Sequence, residues 1–517
     1  MNQKFKILGG PGCGKTYALM GKYQEFLNLD YDPTQITLIT FRKTSAIDLI
    51  NSVSQKVKTP KKTLKQHVGT IHSICARLGG YKDVLTQSDY ADFIVKYKYT
   101  QFTKFTTNQD EDEDSTYSGD LFNLYSWLRN TCTEPTKWLK YPGASKISLP
   151  SERVPEFLAN YEKYKKEVNK IDYSDMLQYV IDNEIDLDTP ILMIDEFQDL
   201  TAQMNKLFKM WEEKRDAVVI AGDPFQSIYG YMGGSPDYFT QWQAEEVILN
   251  KTHRLPEQIK QFGRKILKFG GMTAPDPEGK QGYINPVVPM QYGKDLPQHK
   301  TELHLVRCKY QFGAVAMDLA IHGKVFIANK GFGWTDDDIK IANAILTYRA
   351  GKLLSQDQLI TIIKAYPAKI YGKSSTHEEI CKMIEKQYTP NIRENTKLLK
   401  PVILDSMLSD DPVLKMSSNS KLFSARIKGI LGRKKLIKPI EALNRRIMTI
   451  HGSKGLEADA VFLHTAITDR IFKTTVVQGK EYSAEARVWY VGATRARETL
   501  YLITDIGKNW KMPGVTV

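Results

Sequence analysis

A chain of 517 residues, 42% hydrophobic and 25% charged, is too long for one core and has the composition of a globular protein of about three or four structural units. The 72 Lys and Arg against 59 Asp and Glu leave a formal charge of +13, consistent with a polyanionic partner because neutralising phosphate releases counterions. No apolar run approaches the roughly 18 residues of a membrane span. Five scattered cysteines without paired spacing argue against a metal centre or a disulfide framework and read as reduced thiols in a cytosol-like compartment. The first strand begins almost at once and leaves no room for a signal peptide, so the expected location is cytoplasmic.

Phe5-Lys6-Ile7-Leu8 reads as that strand, and Tyr17-Ala18-Leu19-Met20 as the first turn of a helix. Between them stands Gly9-Gly10-Pro11-Gly12-Cys13-Gly14-Lys15-Thr16, which fits G-x-x-x-x-G-K-[ST] in the strand–loop–helix context that a phosphate-binding loop requires. Glycines let backbone N–H groups converge on phosphate oxygens, and the helix dipole favours the anion. Lys15 is expected at the β- and γ-phosphates and the Thr16 hydroxyl on Mg²⁺.

Gln35-Ile36-Thr37-Leu38-Ile39-Thr40-Phe41 reads as a second buried strand running through Arg42-Lys43-Thr44 into a helix, and Val68-Gly69-Thr70-Ile71-His72-Ser73 follows. With the phosphate loop, these stretches resemble the motifs of the UvrD/Rep/PcrA-like superfamily 1 DNA helicases. The resemblance implies two RecA-like P-loop motor domains, α/β with parallel sheets flanked by helices, each carrying a mainly helical insertion. It divides the chain into a first motor domain (1–79 and 171–250), an insertion (80–170), a second motor domain (251–350 and 444–517) and a short accessory insertion (351–443). Phe41 would stack on a base, with Arg42 and His72 adding contacts to single-stranded DNA. Phe41 also reads as a core aromatic at a strand end, and His72 equally as a structural histidine. In the first insertion, the acidic run Asp110–Asp114 suggests a loop, and the aromatic–basic stretches Lys96–Tyr99 and Phe102–Phe105 read mainly as solvated faces.

Ile191-Leu192-Met193-Ile194 is a buried parallel strand with Asp195 and Glu196 at its C-terminal end, where open α/β sheets bind ligands. Asp195 is expected to hold Mg²⁺ and Glu196 to act as general base on the attacking water. After the strand Val218–Ala221, Gly222-Asp223-Pro224-Phe225-Gln226-Ser227-Ile228-Tyr229-Gly230-Tyr231 is similar to the family's third motif. By that resemblance Gln226 senses the γ-phosphate while Tyr229 and Tyr231 stack on bases. Met232 stands where the family has Arg. Leu249-Asn250-Lys251-Thr252-His253-Arg254 is similar to the fourth motif. It implies Arg254 as an arginine finger from across the domain cleft, with His253 in the place of an adenine-stacking Tyr.

Leu303–Cys308 and Lys324–Ala328 read as strands of a second α/β unit, followed by helices with caps expected at Thr335, Ser355 and Ser375, the last two with Gln358 and Glu378 in capping-box spacing. The basic stretch Arg426–Lys438 reads equally as a phosphate contact or a solvated face. His451-Gly452-Ser453-Lys454-Gly455-Leu456-Glu457 and Glu485–Arg497 resemble the fifth and sixth motifs, which implies Glu457 on the ribose and Arg495 as a second finger.

The implied activity is an ATP-dependent helicase moving on single-stranded DNA, 3′ to 5′, and unwinding forked duplex, with ATP and Mg²⁺ as cofactors and no membrane partner. The alternative is a DNA-stimulated ATPase that displaces bound proteins with little unwinding. A binding module without turnover is a third reading, opposed by the Asp195–Glu196 pair.

Overall fold

The computed structural model describes all residues except 1–2, 58, 82, 103–105, 108–116, 293–295, 329–332, 418–419, 434–435, 478–481, 505–509, 513 and 516–517. The acidic run 110–114, the pair Lys104–Phe105, and Lys434 and Lys435 therefore lie outside the described residues. The chain divides into two compact units, residues 1–283 with 481–494 and residues 284–480 with 495–517.

The first unit is organised by an all-parallel sheet of β1 (Gln3–Leu8), β2 (Ile36–Thr40), β3 (Val68–Thr70), β4 (Ile191–Ile194), β5 (Ala217–Gly222) and β6 (Glu245–Ile248), ordered β3-β2-β4-β5-β1-β6. β2, β4 and β5 are buried along their whole length, as expected of parallel strands covered on both faces. One apolar cluster, with Leu19, Tyr23, Leu49 and Met193, packs one face. Another, with Ile74, Leu177, Phe208 and Trp211, packs the opposite one. Register brings the strand ends level. Leu8 pairs with Gly222, Ile39 with Ile194, and Thr40 with Thr70. The phosphate loop, Phe41, Thr70, Asp195 and Asp223 thus all leave the sheet at one edge.

Residues 80–170 form a helical insertion with its own aromatic core around Phe93, Phe122, Phe157 and Tyr161. It is tied back to the sheet unit by Lys165, buried against Asp172 (3.1 Å) and Asp175 (2.7 Å). Residues 251–283, expected at the start of the second motor domain, cluster with the first unit. There the strand Lys251–Pro256 pairs with Glu278–Lys280, and the helix Glu257–Phe269 shares a small core, Leu267, Ala274 and Tyr490, with the helix Tyr482–Ala493.

The second unit carries a parallel sheet of β7 (Val287–Met290), β8 (Glu302–Val306), β9 (Ile327–Ala328), β10 (Arg445–Thr449), β11 (Ala458–His464) and β12 (Ala496–Ile503), ordered β7-β12-β11-β8-β10-β9. Among the described residues, the helices of 351–443 do not build a separate core. Ile363, Ile384, Ile403 and Ile427 belong to the same apolar cluster as Ile447, Phe462 and Tyr501 of the sheet. Thr335 and Ser355 cap their helices as expected, accepting from the backbone N–H of Asp338 and Gln358. The third cap is Thr376 with Glu379, not Ser375 with Glu378, because Ser375 closes a turn onto the Gly372 carbonyl. In the basic stretch, Arg426, Lys428 and Arg433 pair with Asp338 (3.2 Å), Asp411 (2.6 Å) and Glu441 (3.0 Å), so these three cations are engaged within the fold.

Candidate active site

The loop after β1 runs directly into the N-terminus of the helix Lys15–Asn28, the end that favours an anion. Lys15 Nζ donates to the carbonyls of Gly9 (2.9 Å) and Gly10 (3.3 Å), folding over the loop it is expected to serve. Gly12 has φ +73°, and a Cβ there would lie 2.3 Å from the Arg254 Cβ. Only glycine permits that approach. The approach is fixed by the backbone: Thr252 Oγ1 donates to the Pro11 carbonyl (2.8 Å), and the His253 N–H donates to the Gly12 carbonyl (2.9 Å). Arg254, expected from across a domain cleft, thus belongs to the same unit as the loop and lies beside it. A small cleft opens alongside, lined by Gly10, Pro11, Asp223, Phe225, Lys260 and Tyr490 among others.

At the end of β4 the carboxylates take different places. Asp195 is buried, accepting from Thr16 Oγ1 (2.9 Å) and from the Glu196 N–H (2.9 Å). Burial, then the neighbouring Glu196 charge, pushes its carboxyl above the ordinary range against the pull of Thr16 and Lys15. Glu196 adopts a left-handed backbone, φ 56°, a sparsely populated region for a side chain with a Cβ. That turn sends its carboxylate to Gln198, whose Nε2 donates at 2.5 Å.

Gln198 continues the chain. Its Oε1 accepts from the Asp223 N–H (3.0 Å), and Asp223 in turn accepts from Gln226 Nε2 (2.7 Å) and the Phe225 N–H (3.0 Å). Asp223 is also raised, first by burial, with Lys15 opposing. An unbroken set of hydrogen bonds therefore links Thr16, Asp195, Glu196, Gln198, Asp223 and Gln226. Neither Gln198 nor Asp223 stood out in the sequence as a site residue. Their signal was their place directly after strands β4 and β5, inside motifs that drew attention for other residues.

The aromatic candidates lie further along the same edge. Beyond Gln226, the loop carries Tyr229 and Tyr231, ring centroids 6.4 Å apart, with Tyr231 51% exposed. Phe41 is half-buried against the core under the sheet, and Arg42 is half-buried beside it. His72 meets Tyr173 edge-on at 5.6 Å, in a helix capped by Thr70.

The remaining expected residues belong to the second unit. Arg495, 2% exposed, donates from Nη1 to the Leu456 carbonyl (3.3 Å). Glu457 is exposed, 3.5 Å from Arg497. The structure thus gathers Lys15, Thr16, Asp195, Glu196, Gln226, His253 and Arg254 in one unit, and Glu457 and Arg495 in the other.

A family model for the UvrD/REP helicase N-terminal domain matches residues 1–246, and one for the UvrD-like helicase C-terminal domain matches residues 423–505. A probable DNA helicase II homolog of Mycoplasma pneumoniae is 21% identical, over 96% of this chain and 81% of its own length. ATP-dependent DNA helicase Rep of Buchnera aphidicola subsp. Schizaphis graminum is 21% identical over 96% of this chain and 90% of its own. Gabija protein GajB of Bacillus cereus is 22% identical over 96% and 92%. Among the described residues no helix is long and apolar enough to cross a membrane. With both of its terminal-domain models matched over more than half of the sequence, this chain belongs to the UvrD/Rep-like superfamily 1 family of ATP-dependent DNA helicases.

Proposed function

We propose that the chain hydrolyses Mg-ATP to move on single-stranded DNA, 3′ to 5′, and to separate forked duplex. The observation that carries this reading is the hydrogen-bonded chain from Thr16 to Gln226, which ends on the loop bearing Tyr229 and Tyr231. A change at the γ-phosphate that moves Gln226 is transmitted along the same loop through Ser227 and Ile228 to Tyr229, and on to Tyr231. The polarity rests on the family resemblance.

In this reading Lys15 binds the β- and γ-phosphates, and Gly9 to Gly14 supply backbone N–H groups. Thr16 and Asp195 fit a magnesium ion: both offer hard oxygens, and a divalent cation relieves the burial of Asp195 beside a second carboxylate. When bound there, Mg²⁺ neutralises charge on the β- and γ-phosphates. Glu196 takes the proton of the attacking water, held in place by Gln198. Arg254 stabilises charge on the γ-phosphate, and His253 faces the base. Phe41, Arg42, His72, Tyr229 and Tyr231 contact the strand.

Steady-state ATP hydrolysis with and without single-stranded DNA tests the reading, with Glu196→Gln as control. Strong stimulation abolished by the variant supports a DNA-coupled motor, whereas turnover indifferent to DNA redirects the search to RNA or a protein partner. A second reading, displacement of bound proteins with little unwinding, is favoured by one observation. The 351–443 helices share the core of the second sheet, leaving no independently cored accessory body among the described residues. Forked-duplex unwinding measured beside protein displacement separates the two.

A further inference from the structure

Met232 occupies the position at which a polar side chain would ordinarily follow the second aromatic, yet its backbone is not left unheld. Asn130, the last residue of the insertion helix Asp120–Asn130, donates from Nδ2 to the Met232 carbonyl at 2.9 Å. The next residue, Gly233, has φ +96°, and a Cβ there would lie 2.8 Å from Thr131 Cγ2 and 3.3 Å from Asn130 Cβ. Helix and loop are thus in backbone-level contact, which glycine alone allows.

The loop has a second anchor on its other side. The Ser235 N–H donates to the Leu200 carbonyl (3.0 Å), and Gly234 bridges to Thr201, both a few residues beyond Glu196. Internally, the Met232 and Gly234 N–H groups both close onto the Tyr229 carbonyl, at 2.9 and 3.2 Å. The turn carrying Tyr229 and Tyr231 is therefore clamped between the segment after the acid pair and the tip of the insertion helix.

That helix is itself rigidly held. Leu121, Phe122, Leu124, Tyr125 and Leu128 are buried in the insertion core. The Tyr125 hydroxyl accepts from Lys165 (2.7 Å), and Arg129 lies 3.5 Å from Asp175. A strut so fixed, ending on the carbonyl next to an exposed ring, sets where that ring stands.

We propose that Asn130 is a positioning residue for the single-strand contact, holding the Tyr229–Tyr231 loop in its stacking geometry through the Met232 carbonyl. The proposal rests on the reading of that loop as a DNA contact. Stacking is sensitive to ring placement but carries no charge, so loss of the strut weakens binding without changing the number of counterions released.

The test measures the affinity of a fluorescent oligothymidylate at several salt concentrations, together with ATP turnover in the absence of DNA. It compares the wild type with Asn130→Ala, Gly233→Ala and Tyr231→Ala. Asn130→Ala is expected to lose roughly five- to tenfold in affinity, less than or equal to the Tyr231→Ala loss, on a salt line parallel to the wild type's. Its DNA-free turnover should stay within about twofold of wild type. Gly233→Ala, which crowds Thr131 and strains the loop, should give the same pattern. Unchanged DNA affinity in Asn130→Ala overturns the proposal. So does a salt slope reduced by about one, which would make Asn130 a direct phosphate contact, or a parallel collapse of DNA-free turnover, which would make it merely structural. If Tyr231→Ala itself binds DNA normally, the reading of the loop fails, and the proposal with it.

Discussion

Among the described residues, the two sheets place their most buried carboxylates differently. In the first unit, Thr16, Asp195, Glu196, Gln198, Asp223 and Gln226 stand beyond the strand ends, joined side by side along one edge. In the second, the most buried described carboxylate lies inside the sheet. Glu302 on β8 is 3% exposed and register-paired with Arg445 on β10, which grips it at 2.6 and 2.9 Å and also donates to the Val325 carbonyl (2.8 Å). Next to them the rings of His304, Phe462 and Tyr501 stack at 4.4 and 4.7 Å across three neighbouring strands. A carboxylate beyond a strand keeps its charge available to a ligand. A carboxylate within a strand, matched by an arginine on the next, fixes register and has nothing left to offer.

The contrast breaks hardest at Glu196. Glu196→Gln should cut DNA-stimulated kcat by about 10²–10⁴ while nucleotide binding and unfolding midpoint stay near wild type. A large fall in stability instead would show that the first edge, too, is structural. Arg445→Leu should do the reverse. It leaves the buried Glu302 charge without its partner and should cost about 3–5 kcal/mol in denaturant unfolding, with DNA-free turnover per folded molecule little changed. Replacing both Glu302 and Arg445 by apolar residues should recover most of that loss; if it does not, the pair contributes more than mutual neutralisation.

Acid sharpens the same difference. Burial pushes the Glu302 carboxyl up, but the hydrogen bonds from His304 and Arg445 and the Arg445 charge prevail and hold it at about 2. A carboxylate depressed in the fold contributes stability that is complete above its ordinary value of about 4.3 and is lost as pH falls toward 2, on the order of 3 kcal/mol in all. His304 and His464, pushed down by burial, act in the same direction from higher pH, because below about 6.5 the unfolded chain takes up protons that the buried rings refuse. The second unit should therefore lose stability steadily from about pH 6.5 downward, as followed by Tyr and Trp fluorescence. A flat profile between about pH 6.5 and 4 would contradict the buried neutral histidines.

How much of this was legible in the sequence depends on contact range. The phosphate loop, the Asp195–Glu196 pair and Gln226 were readable because each is a short motif at the end of an apolar strand, and parallel pairing brings strand ends to one level. What escaped depends on contacts between distant segments. Asn130 meets Met232 across 102 residues, and nothing in either local pattern marks the pair. Likewise, Lys251–Pro256 reads locally as the beginning of a new domain. Its docking on the phosphate loop is carried by Thr252 and His253 bonding to Pro11 and Gly12, over 241 residues in the case of Thr252. The helices of 351–443 were placed correctly in type, but their apolar faces did not say which core they join.

Thr252 offers the finest test of the comparison, since it is a buried polar group in the first unit that sits within a strand, as Glu302 does in the second. Its hydroxyl donates to the Pro11 carbonyl and accepts from the Arg254 and Leu255 N–H groups, both at 3.3 Å. If strand-borne polar groups are structural wherever they occur, Thr252→Val should only destabilise, by about 1–3 kcal/mol for the unsatisfied carbonyl. But this hydroxyl joins the phosphate loop to the residue before His253 and Arg254. Thr252→Val is therefore expected to lower kcat a few-fold as well, with KM for ATP shifting less, because Arg254 acts on charge that develops only in the transition state. Thr252→Ser, which keeps the hydroxyl and loses the methyl, should restore kcat but only part of the stability. Equal losses of both in the serine variant would mean that the methyl's packing, rather than the hydrogen bonds to the loop, holds Arg254 in place.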